Sequence, residues 1–359
     1  MRLAVNGRFI AARPTGVQRV ARELVRRLPP SVDVTLHVPR GAAADGWPAT
    51  FRPRPGLLGG PLWEHVELPL RRARNGYDVA LDPANAGPRL GIGRVMVLHD
   101  VFPLTNPAWY GRAFRWWFAS AVAPSARRAD RVVMFTRWAR DRAVDALGLD
   151  PARVRLIGQG VEPFDEPLPA AVLHRTRERL GLPRRFILAT GGGDPRKNVG
   201  FLVPLLARLN GLSLVVVGEG YRHVHASGDG APASVRRLGH VSDLQLRALY
   251  RAATVFCFPS LAEGFGRPPL EALASGTPAV VAEYGCAAEV LGDAAARVAL
   301  DPEAWIGAIG ELAEEGPVRR RAIAAGLQRA AEHRWADAAD ALARVCRDVA
   351  DERRGGGSA

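Results

Sequence analysis

The sequence predicts an α/β protein made of two Rossmann-like halves, and three observations support this prediction. Short apolar runs alternate with helix-like segments along most of the chain, as they do in repeated βα units. The apolar runs are continuous, which is typical of parallel strands covered on both faces. A stretch rich in Gly and Pro, residues 158–167, interrupts the alternation and separates the two halves.

The first half begins with a predicted strand at Leu3–Val5, which argues against a signal peptide, and continues with a helix at Val17–Leu28. Its later apolar runs are predicted as buried strands: Val32–Val38, Tyr77–Leu81, Val95–Leu98 and Arg131–Phe135. We predict that residues 1–165 form the first domain and that residues 166–183 form a linker.

The second half repeats the alternation. Its predicted strands are Phe186–Ala189, Leu214–Val217, Ala253–Phe258 and Ala279–Ala282, and its predicted helices are Val199–Leu209, Leu244–Ala252 and Leu270–Ser275. Gly218-Glu219-Gly220 lacks the full dinucleotide-binding fingerprint and is predicted as a turn at a strand end. We predict a second domain over residues 184–335, a C-terminal helix over residues 336–352 that returns to the first domain, and a disordered tail over residues 353–359.

Composition narrows the class of protein. The length of 359 residues suits two domains, and 48% hydrophobic residues can fill two cores. The three cysteines lie far apart and the eight histidines show no metal-ligand spacing, so we expect a reducing compartment, no disulfide and no metal. No apolar run approaches the ~18–20 residues that span a membrane, and we predict a cytoplasmic protein. The net charge of +13 favours anionic partners, although an overall preference for arginine weakens this argument.

The most informative segment runs from Glu263 to Glu271. Two carboxylates bracket a glycine-aromatic-glycine loop and a Pro-Pro pair, between a predicted strand and a predicted helix. Loop amides and a helix N-terminus suit an anion. Because two carboxylates would repel a bare phosphate, we predict a phosphate that carries hydroxyl-rich groups on both sides, as a nucleotide-sugar does.

Lys197 is the only lysine in the sequence, beside 48 arginines. It follows a predicted strand and the glycine-rich turn 190–194. Lysine is a compact point charge that arginine does not replace at every site, and glycine-rich turns cradle phosphates. We therefore predict that Lys197 contacts a phosphate; the alternative is a single lysine on a solvated surface.

Taken together, these motifs resemble the retaining glycosyltransferases of family four. That family has the GT-B fold, an α/β architecture of two Rossmann-like domains whose parallel sheets face each other across a cleft. The resemblance extends from residue 1 to about residue 340, and its most specific element is the Glu-x7-Glu pair within Phe258–Pro278. The other matching segments are Pro195-Arg196-Lys197-Asn198, Leu238–Asp243, His99-Asp100, Thr15–Arg19 and Gln159–Val161.

The resemblance implies a role for each matching residue. Glu263 would face the transferred sugar, His99 would approach the same sugar, and Lys197 with Arg196 would neutralise the diphosphate. The remaining donor-binding positions implied by the resemblance are Gly16, Val241, Gly264, Phe265, Gly266, Arg267 and Glu271. Of these, Glu271 would hold the ribose hydroxyls, Val241 would lie against the base and Gly16 would approach the diphosphate.

The resemblance also implies a mechanism. The anomeric bond breaks with positive charge on the sugar and negative charge on the phosphate, which fixed cations and amides stabilise. Configuration would be retained by front-face attack, without the carboxylate nucleophile of retaining hydrolases. The Lys/Arg pair would take the part that a divalent metal plays elsewhere, so no metal and no cofactor is expected.

The sequence departs from the family pattern at two informative positions. Many relatives carry a second cation where this chain has Gly191, and many carry an aliphatic residue where it has Arg267. We hypothesise that Arg267 supplies part of the missing charge. Glu289 and Asp293 are interpreted as helix-end or surface carboxylates, and His99 taken by itself could be a structural histidine.

The segment 110–142 mixes aromatic residues with arginines. Such a helix could make a peripheral contact with an anionic membrane or a lipid-linked acceptor, at the inner membrane face. The alternative, which the composition slightly favours, is a helix with an aromatic core face and snorkelling arginines.

The sequence therefore predicts a metal-independent, retaining hexosyltransferase. It would move a sugar of mannosyl or rhamnosyl type from a nucleotide-diphosphate sugar to a hydroxyl acceptor, which is a saccharide, a glycolipid or a small molecule, in polysaccharide or glycolipid biosynthesis. One alternative is a natural-product glycosyltransferase. The other is a catalytically silent protein that binds sugar-nucleotides or polyanions, although no specific nucleic acid partner is expected.

Overall fold

The computed structural model describes residues 1–12, 15–42, 46–91, 93–161, 168–191, 193–218 and 235–355. The chain forms two compact units. Unit 1 comprises Met1–Thr105, Arg115–Gly160 and Arg334–Ala359, and unit 2 comprises Asn106–Phe114 and Val161–His333. The predicted linker residues 166–167, together with Glu219 and Gly220, lie outside the described residues.

Unit 1 contains a parallel sheet of seven strands in the order β3-β2-β1-β4-β5-β6-β7. The strands are β1 Arg2–Asn6, β2 Asp33–Val38, β3 Arg52–Pro55, β4 Val79–Asp82, β5 Arg94–Val97, β6 Arg131–Met134 and β7 Val154–Leu156. Most of them are buried along their length, as the continuous apolar runs predict.

The helices of the N-terminal stretch are α1 Arg8–Ala11, α2 Gly16–Arg26, α3 Gly60–Leu62, α4 Leu68–Arg74, α5 Phe102–Thr105, α6 Arg112–Trp117, α7 Ala123–Arg128 and α8 Arg137–Leu147. Short 3-10 helices occupy Pro107–Trp109 and Pro151–Arg153, and π-helical turns occupy Trp63–Glu67 and Phe118–Val122. Helix α2 begins at a capping box in which Thr15 and Gln18 satisfy each other's backbone amides.

Unit 2 contains a parallel sheet of six strands in the order β10-β9-β8-β11-β12-β13. The strands are β8 Phe186–Thr190, β9 Ser213–Val217, β10 Val235–Arg237, β11 Val255–Phe258, β12 Ala279–Ala282 and β13 Ala296–Val298. Its helices are α9 Ala170–Leu180, α10 Asp243–Ala252, α11 Arg267–Ala274, α12 Ala287–Leu291, α13 Pro302–Ala313 and α14 Pro317–Ala331. Two parallel sheets with helices confirm the predicted fold class.

Two segments differ from the predicted elements. The predicted helix Val199–Leu209 is a pair of 3-10 helices, Val199–Leu202 and Pro204–Arg208, because Pro204 has no amide to continue an α-helical ladder. Within the predicted linker, helix α9 ends at Gly181 in the left-handed conformation, which is a common helix C-cap.

The last helix, α15 Trp335–Gly355, belongs to unit 1, where it packs against α2, β4 and β5. It continues through residues 353–355, which the sequence predicted as disordered, and residues 356–359 lie outside the described residues. Bonds to Asp78 explain the extension: Arg354 Nη2 lies 2.8 Å from Asp78 Oδ1, and Arg353 donates to the Asp78 carbonyl.

A buried network of ion pairs lies in unit 1 at the carboxyl ends of the neighbouring strands β1 and β4. The Asp82 carboxylate, at the end of β4, is completely buried. Arg94 Nη2 lies 3.0 Å from Asp82 Oδ2, and Arg72 Nη2 lies 3.1 Å from Oδ1. Asn6 Nδ2 donates to Oδ1 at 3.2 Å. The two arginines make Asp82 the central counter-ion of the network.

His37 predicts a pH-dependent stability for unit 1. Burial, aided by the charges of Arg72, Arg71 and Arg54, lowers the pKa of His37 to about 3. The unfolded chain therefore binds one more proton than the folded chain between the ordinary histidine pKa and about pH 3, so stability falls as pH falls through this window. The expected slope from this residue is about 1.4 kcal/mol per pH unit at most.

The His37→Gln variant should lose that slope while it retains a polar partner for the Tyr77 hydroxyl, which lies 3.1 Å from His37 Nε2. Hydrogen exchange of the β1 and β2 amides, followed between about pH 7 and pH 4, measures the difference. His174→Gln, which replaces an exposed histidine of α9, is the control. Equal slopes for His37→Gln and the native protein would contradict the prediction.

Candidate active site

Two loops of unit 2, which follow the neighbouring strands β8 and β11, form the candidate site. Strand β8 lies between β9 and β11 in the sheet. The chain adds β9 and β10 on one side of β8, and it then crosses to add β11 and the later strands on the other side. In open α/β sheets, ligands bind outside the carboxyl ends of strands at such a switch point. The loop after β8 carries Arg196 and Lys197, and the loop after β11 carries Glu263.

Glu263 is 5% exposed, and its carboxylate accepts hydrogen bonds from three side chains. Lys197 Nζ lies 2.7 Å from Oε1, Arg196 Nη1 lies 2.9 Å from Oε2, and Ser260 Oγ lies 2.5 Å from Oε1. Two cations thus share one buried carboxylate. Lys197, Arg196 and Glu263 together carry one positive charge, which the Asp194 carboxylate beside Arg196 balances.

The Lys197 ammonium group, which pairs with this carboxylate, also lies over an aromatic ring. Its Nζ lies 4.6 Å from the centre of the Phe258 ring, at the end of β11. Burial and the charge of Arg196 lower the pKa of Lys197, and the Glu263 carboxylate opposes that shift. A Cβ at Gly191 would lie 2.4 Å from Lys197 Cγ. In this chain the lysine stem therefore occupies the space that a side chain at position 191 needs.

Arg196 is positioned by the short 3-10 helix Pro195–Lys197. Asp194 caps this helix, since its Oδ1 accepts the Arg196 amide at 3.0 Å, and its Oδ2 pairs with Arg196 Nη2 at 3.1 Å. The Leu261 amide donates to the Arg196 carbonyl at 2.9 Å, which joins the two loops. The cations and the carboxylate are thus held in one frame.

The loop 264–266 turns from β11 into helix α11. Gly266, the N-cap residue, adopts a left-handed conformation with φ of +83°, and a Cβ there would lie 2.5 Å from the Tyr284 hydroxyl. Cys286 Sγ donates to the Glu263 carbonyl at 3.1 Å. Burial raises the pKa of the Cys286 thiol, which therefore keeps its proton for this bond. Tyr284 and Cys286, which follow β12, therefore pack against the backbone of this loop and hold it in place.

Replacing Gly266 by alanine should destabilise unit 2. The left-handed backbone costs about 1–2 kcal/mol for an L-residue, and the collision with Tyr284 adds to it. Gly211→Ala is the matched control, because Gly211 also lies in unit 2 and has a positive φ (+74°) but has open space around a Cβ. Thermal unfolding should show the larger loss for Gly266→Ala and partial recovery when Tyr284→Phe is added. Equal losses at the two glycines would contradict the collision.

Glu271 lies in the second turn of α11 and is 9% exposed. Its Oε2 accepts the Tyr250 hydroxyl at 2.9 Å, and its Oε1 pairs with Arg267 Nε at 2.8 Å. Arg267 therefore pairs with Glu271 one helical turn away. The second carboxylate of the Glu-x7-Glu motif thus has its own partners, separate from those of Glu263.

The other predicted site residues take separate places in the fold. Val241 is half-buried in unit 2, just before the Ser242 cap of α10. Gly16 begins α2, and His99 follows β5; both belong to unit 1. The His99 amide donates to Asn85 Oδ1 at 2.8 Å, and its ring lies 5.1 Å from that of Phe135. Glu263, Lys197 and Arg196 all lie in unit 2, where both cations pair with the carboxylate.

Sequence reasoning missed the residues that support these groups: Asp194, Ser260, Tyr250, Tyr284 and Cys286. Asp194 had a local signal, because Asp before Pro is a common helix cap. Ser260, three residues before Glu263, lay within the recognised string but suggested no role. Tyr250 and Cys286 reach the site only through the packing of α10 and of the segment after β12, which no local pattern reveals.

Two further predictions concern the surface. Asp293 pairs with Arg297 and its side chain is fully exposed, which confirms it as a surface carboxylate. In the aromatic segment, Phe118 lies in the unit 1 core and Trp117 packs against that core and beneath Arg8, whereas Trp116 is 73% exposed. This packing favours the core-face interpretation.

Two classes of feature are absent from the described part of the chain. No three His, Cys, Asp or Glu side chains there are grouped closely enough to hold a metal ion. None of the helices in that part combines the length and the hydropathy needed to cross a membrane.

Family models match both halves of the chain. The model described as "Glycosyl transferases group 1" matches residues 174–329, which contain the Glu263–Lys197 cluster. The model described as "Glycosyltransferase Family 4" matches residues 14–163. Together the two models cover most of the chain and define its class: the chain belongs to the glycosyltransferases of family four, which have the GT-B fold.

Individual relatives agree with this assignment. The chain is 35% identical over 243 residues to a D-inositol 3-phosphate glycosyltransferase of Xylanimonas cellulosilytica, a match that covers 60% of this chain and 56% of that one. It is 29% identical over 214 residues to the serotype-specific mannosyltransferase WbdA of Escherichia coli, covering 55% of this chain and 26% of that one. The chain spans about half the length of the D-inositol 3-phosphate glycosyltransferases that it matches.

A solved structure shows the same fold. Alr3699/HepE of Anabaena, crystallised in complex with UDP and glucose, superposes with a TM-score of 0.67 at 15% identity, covering 99% of this chain and 100% of that chain. At this identity the likeness establishes the fold alone.

Proposed function

We propose that this protein is a retaining hexosyltransferase that uses a nucleotide-diphosphate sugar and a hydroxyl acceptor. One observation carries the proposal: Lys197 and Arg196 converge on the buried Glu263 carboxylate at the switch point of a parallel sheet. A diphosphate needs such paired cations, and sugar hydroxyls need such a charged acceptor. The family assignment supports the same reaction.

The residues suggest how each part of the donor would bind. The diphosphate would take hydrogen bonds from Lys197 and Arg196, and these cations would stabilise the negative charge that develops on the leaving phosphate. Glu263 would then accept hydrogen bonds from the transferred sugar. Glu271, held by Tyr250, would accept those of the ribose. No step in this scheme requires a metal, and the reaction is proposed to be metal-independent.

The sugar is proposed to be of mannosyl or rhamnosyl type. The name of the WbdA relative, a mannosyltransferase, supports this subclass, and the proposed acceptor is a hydroxyl group of a growing polysaccharide or glycolipid. A natural-product acceptor is the alternative within the same enzyme class.

The test is a calorimetry panel with UDP, GDP, ADP and TDP, each with and without EDTA, on the native protein and Lys197→Ala. One nucleotide should bind to the native protein without metal. Lys197→Ala should bind that nucleotide at least about tenfold more weakly, because it loses one hydrogen bond between charged groups. The binding nucleotide then selects the sugar donors for turnover assays. Binding of no nucleotide would remove the transferase proposal.

A silent polyanion-binding protein is the second candidate, and the net charge of +13 is the observation that favours it. The two candidates differ in their response to salt. Binding to a nucleic acid backbone weakens steeply with salt because counterions are released, whereas binding of one nucleotide in a built site survives moderate salt. A nucleotide that binds at moderate salt but supports no turnover with any sugar or acceptor would favour the silent protein.

Arg267 offers a further test of the donor site. We hypothesise that Arg267 adds positive charge near the diphosphate, and its ion pair with Glu271 suggests that it also orients that carboxylate. Arg267→Leu should therefore weaken nucleotide binding by about threefold to tenfold. Calorimetry measures the change, with Arg297→Leu at a surface ion pair as the control. Unchanged affinity and turnover in Arg267→Leu would remove both roles.

A further inference from the structure

The net positive charge of the chain lies almost entirely in unit 1. Unit 1 has 29 arginines and 17 acidic residues, whereas unit 2 has 20 basic and 19 acidic residues. Unit 1 therefore carries twelve of the thirteen net positive charges. The preference for arginine over lysine does not explain this difference, because the two side chains carry the same charge. Such an asymmetry between the halves of a chain predicts a polyanionic partner for one of them.

One helical segment of unit 1, residues 115–128 and here called the cationic segment, concentrates this charge. It comprises the end of α6, the π-helical turn that follows it, and α7. Phe118 and Val122 hold its inner side in the unit 1 core. The sequence has no acidic residue between positions 101 and 129, so the segment contains no carboxylate of its own. Three of its exposed residues are arginines: Arg115, Arg127 and Arg128.

Two arginines from other parts of unit 1 lie beside the cationic segment. Arg89, which is exposed, donates a hydrogen bond to the Ser120 carbonyl. The Arg8 guanidinium lies 5.6 Å from the centre of the Trp117 ring. Glu64, the carboxylate that pairs with Arg8, is buried, whereas the Arg8 side chain is 41% exposed. The surface around the segment thus presents cations from three parts of the chain.

Trp116 gives the cationic segment an aromatic surface as well. It is 73% exposed, and it is the only exposed aromatic residue in the part of the chain that the structure describes. A flat indole ring can pack against the apolar C–H face of a sugar ring, while the adjacent Arg115 pairs with a carboxylate or phosphate on that sugar. A single-stranded nucleic acid matches this surface less well, because its binding surfaces carry several aromatic residues for successive bases.

We propose that the cationic segment binds an acidic polysaccharide, with Trp116 against a sugar ring and the arginines on its anionic groups. Arg115 and Arg127 are twelve residues apart, which is about 18 Å along a helix and more than one sugar ring spans. The ligand is therefore a polymer with repeated charges rather than a single acidic sugar. Its role as the acceptor of the transferred sugar rests on the proposed function, and it narrows the acceptor class to acidic glycans.

The experiment is calorimetry of the full chain with two pairs of polymers that differ only in charge. These are polygalacturonate with its neutral methyl ester, and phosphorylated dextran with dextran. At low salt the native protein should bind at least one acidic polymer about tenfold or more tightly than its neutral counterpart, and added salt should weaken that binding. Equal binding within both pairs would overturn the proposal.

Two variants test the surface itself. Trp116→Ala should bind the acidic polymer about threefold to tenfold more weakly, because it loses the contact with the sugar ring. Arg115→Gln/Arg128→Gln should also bind more weakly and should lose much of the salt dependence. The matched control is Arg320→Gln/Arg321→Gln, which removes two exposed arginines of α14 in unit 2. The proposal fails if Trp116→Ala binds as the native protein does, or if the control loses as much affinity as Arg115→Gln/Arg128→Gln.

Further measurements separate the possible partners and the two proposals. Tighter binding to oligo(dT) of equal charge than to either acidic polymer would assign the segment to nucleic acid, and capture by anionic vesicles that displaces the polymer would assign it to lipid; each result would overturn the proposal. Nucleotide calorimetry on every variant confirms folding and measures the donor site separately, so the loss of one kind of binding without the other shows which proposal fails. Polymer binding without transfer onto the polymer, in a protein that glycosylates another acceptor, would refute its role as the acceptor.

Discussion

Glu263→Gln is expected to abolish most turnover and, at the same time, to tighten the binding of the free nucleoside diphosphate. The loss of kcat should be about 10²–10³-fold, which is typical when one group that stabilises a transition state is removed. The gain in diphosphate affinity should be about threefold to tenfold, or ~0.7–1.4 kcal/mol. A mutation that disables an enzyme while it improves nucleotide binding is a distinctive outcome.

The opposite signs follow from the ion pairs of Glu263. Its carboxylate engages Lys197 Nζ at 2.7 Å and Arg196 Nη1 at 2.9 Å, so it competes with any phosphate for the same two cations. A glutamine side chain in its place would keep the shape but not the charge, and the cations would be available to the diphosphate. The neutral amide would also be a weaker acceptor for the sugar hydroxyls, and the intact donor should therefore gain less affinity than the free diphosphate.

The second carboxylate of the motif is the matched control. Glu271 pairs with Arg267 and Tyr250 and does not contact Lys197, so Glu271→Gln should weaken nucleotide binding. Calorimetry with the nucleoside diphosphate and steady-state turnover with the donor measure both effects in both variants. If Glu263→Gln and Glu271→Gln changed diphosphate affinity in the same direction, the competition between Glu263 and the phosphate would be excluded.

The largest effect on stability is expected for Asp82→Asn in unit 1. Asp82 and Arg94 are both fully buried, and Arg72 also pairs with Asp82. Removal of one partner from a buried ion pair leaves uncompensated charge and typically costs about 3–5 kcal/mol. Here two buried arginines lose their shared counter-ion. A Cβ at Gly87 would lie 2.2 Å from Asp82 Oδ2, so the close packing around the carboxylate leaves little room for rearrangement.

Hydrogen exchange in each unit measures this effect, because a single unfolding transition is not assured in a chain with two units. Protection of the β4 and β5 amides should fall in Asp82→Asn, and protection of the β8 and β11 amides should not. Asp293→Asn, at the exposed pair with Arg297, is the control and should change protection in either unit only slightly. Equal effects at the two sites would show that the buried network contributes no more than a surface pair.

The nine inner strands of the two sheets could be predicted from the sequence because a buried parallel strand leaves a continuous apolar run, whereas the edge strands β3, β7, β10 and β13 were not predicted. Of the strands predicted, Ala279–Ala282 agrees at both ends, and the others differ by one or two residues. The predicted helix Val199–Leu209 was wrong because the periodicity took no account of Pro204, which cannot continue an α-helical hydrogen-bond ladder. Arg353 and Arg354 order the end of α15 through Asp78, which is distant in sequence.

The site was predictable where its residues follow strand ends. Glu263 and Lys197 each follow an apolar run, and parallel strands bring their carboxyl ends to the same edge of the sheet. Their direct ion pair was not predicted, because the sequence analysis assigned Lys197 to a phosphate and Glu263 to a sugar. The assignments of all these residues to the donor, those of Gly16, His99 and Val241 included, stay predictions.

The sequence by itself determined the two βα alternations, the family motif and the identity of the cations and carboxylates, since these depend on local spacing and on side-chain chemistry. Only the tertiary structure decided which charges pair. Lys197 and Glu263 are 66 residues apart, Asp82 and Arg94 lie on neighbouring strands, and Glu64 and Glu67 turn inward on a helix whose outer side is apolar. The physical reason is that an ion pair depends on distances of a few ångströms and on burial, and both are set by packing between elements rather than by neighbours in the chain.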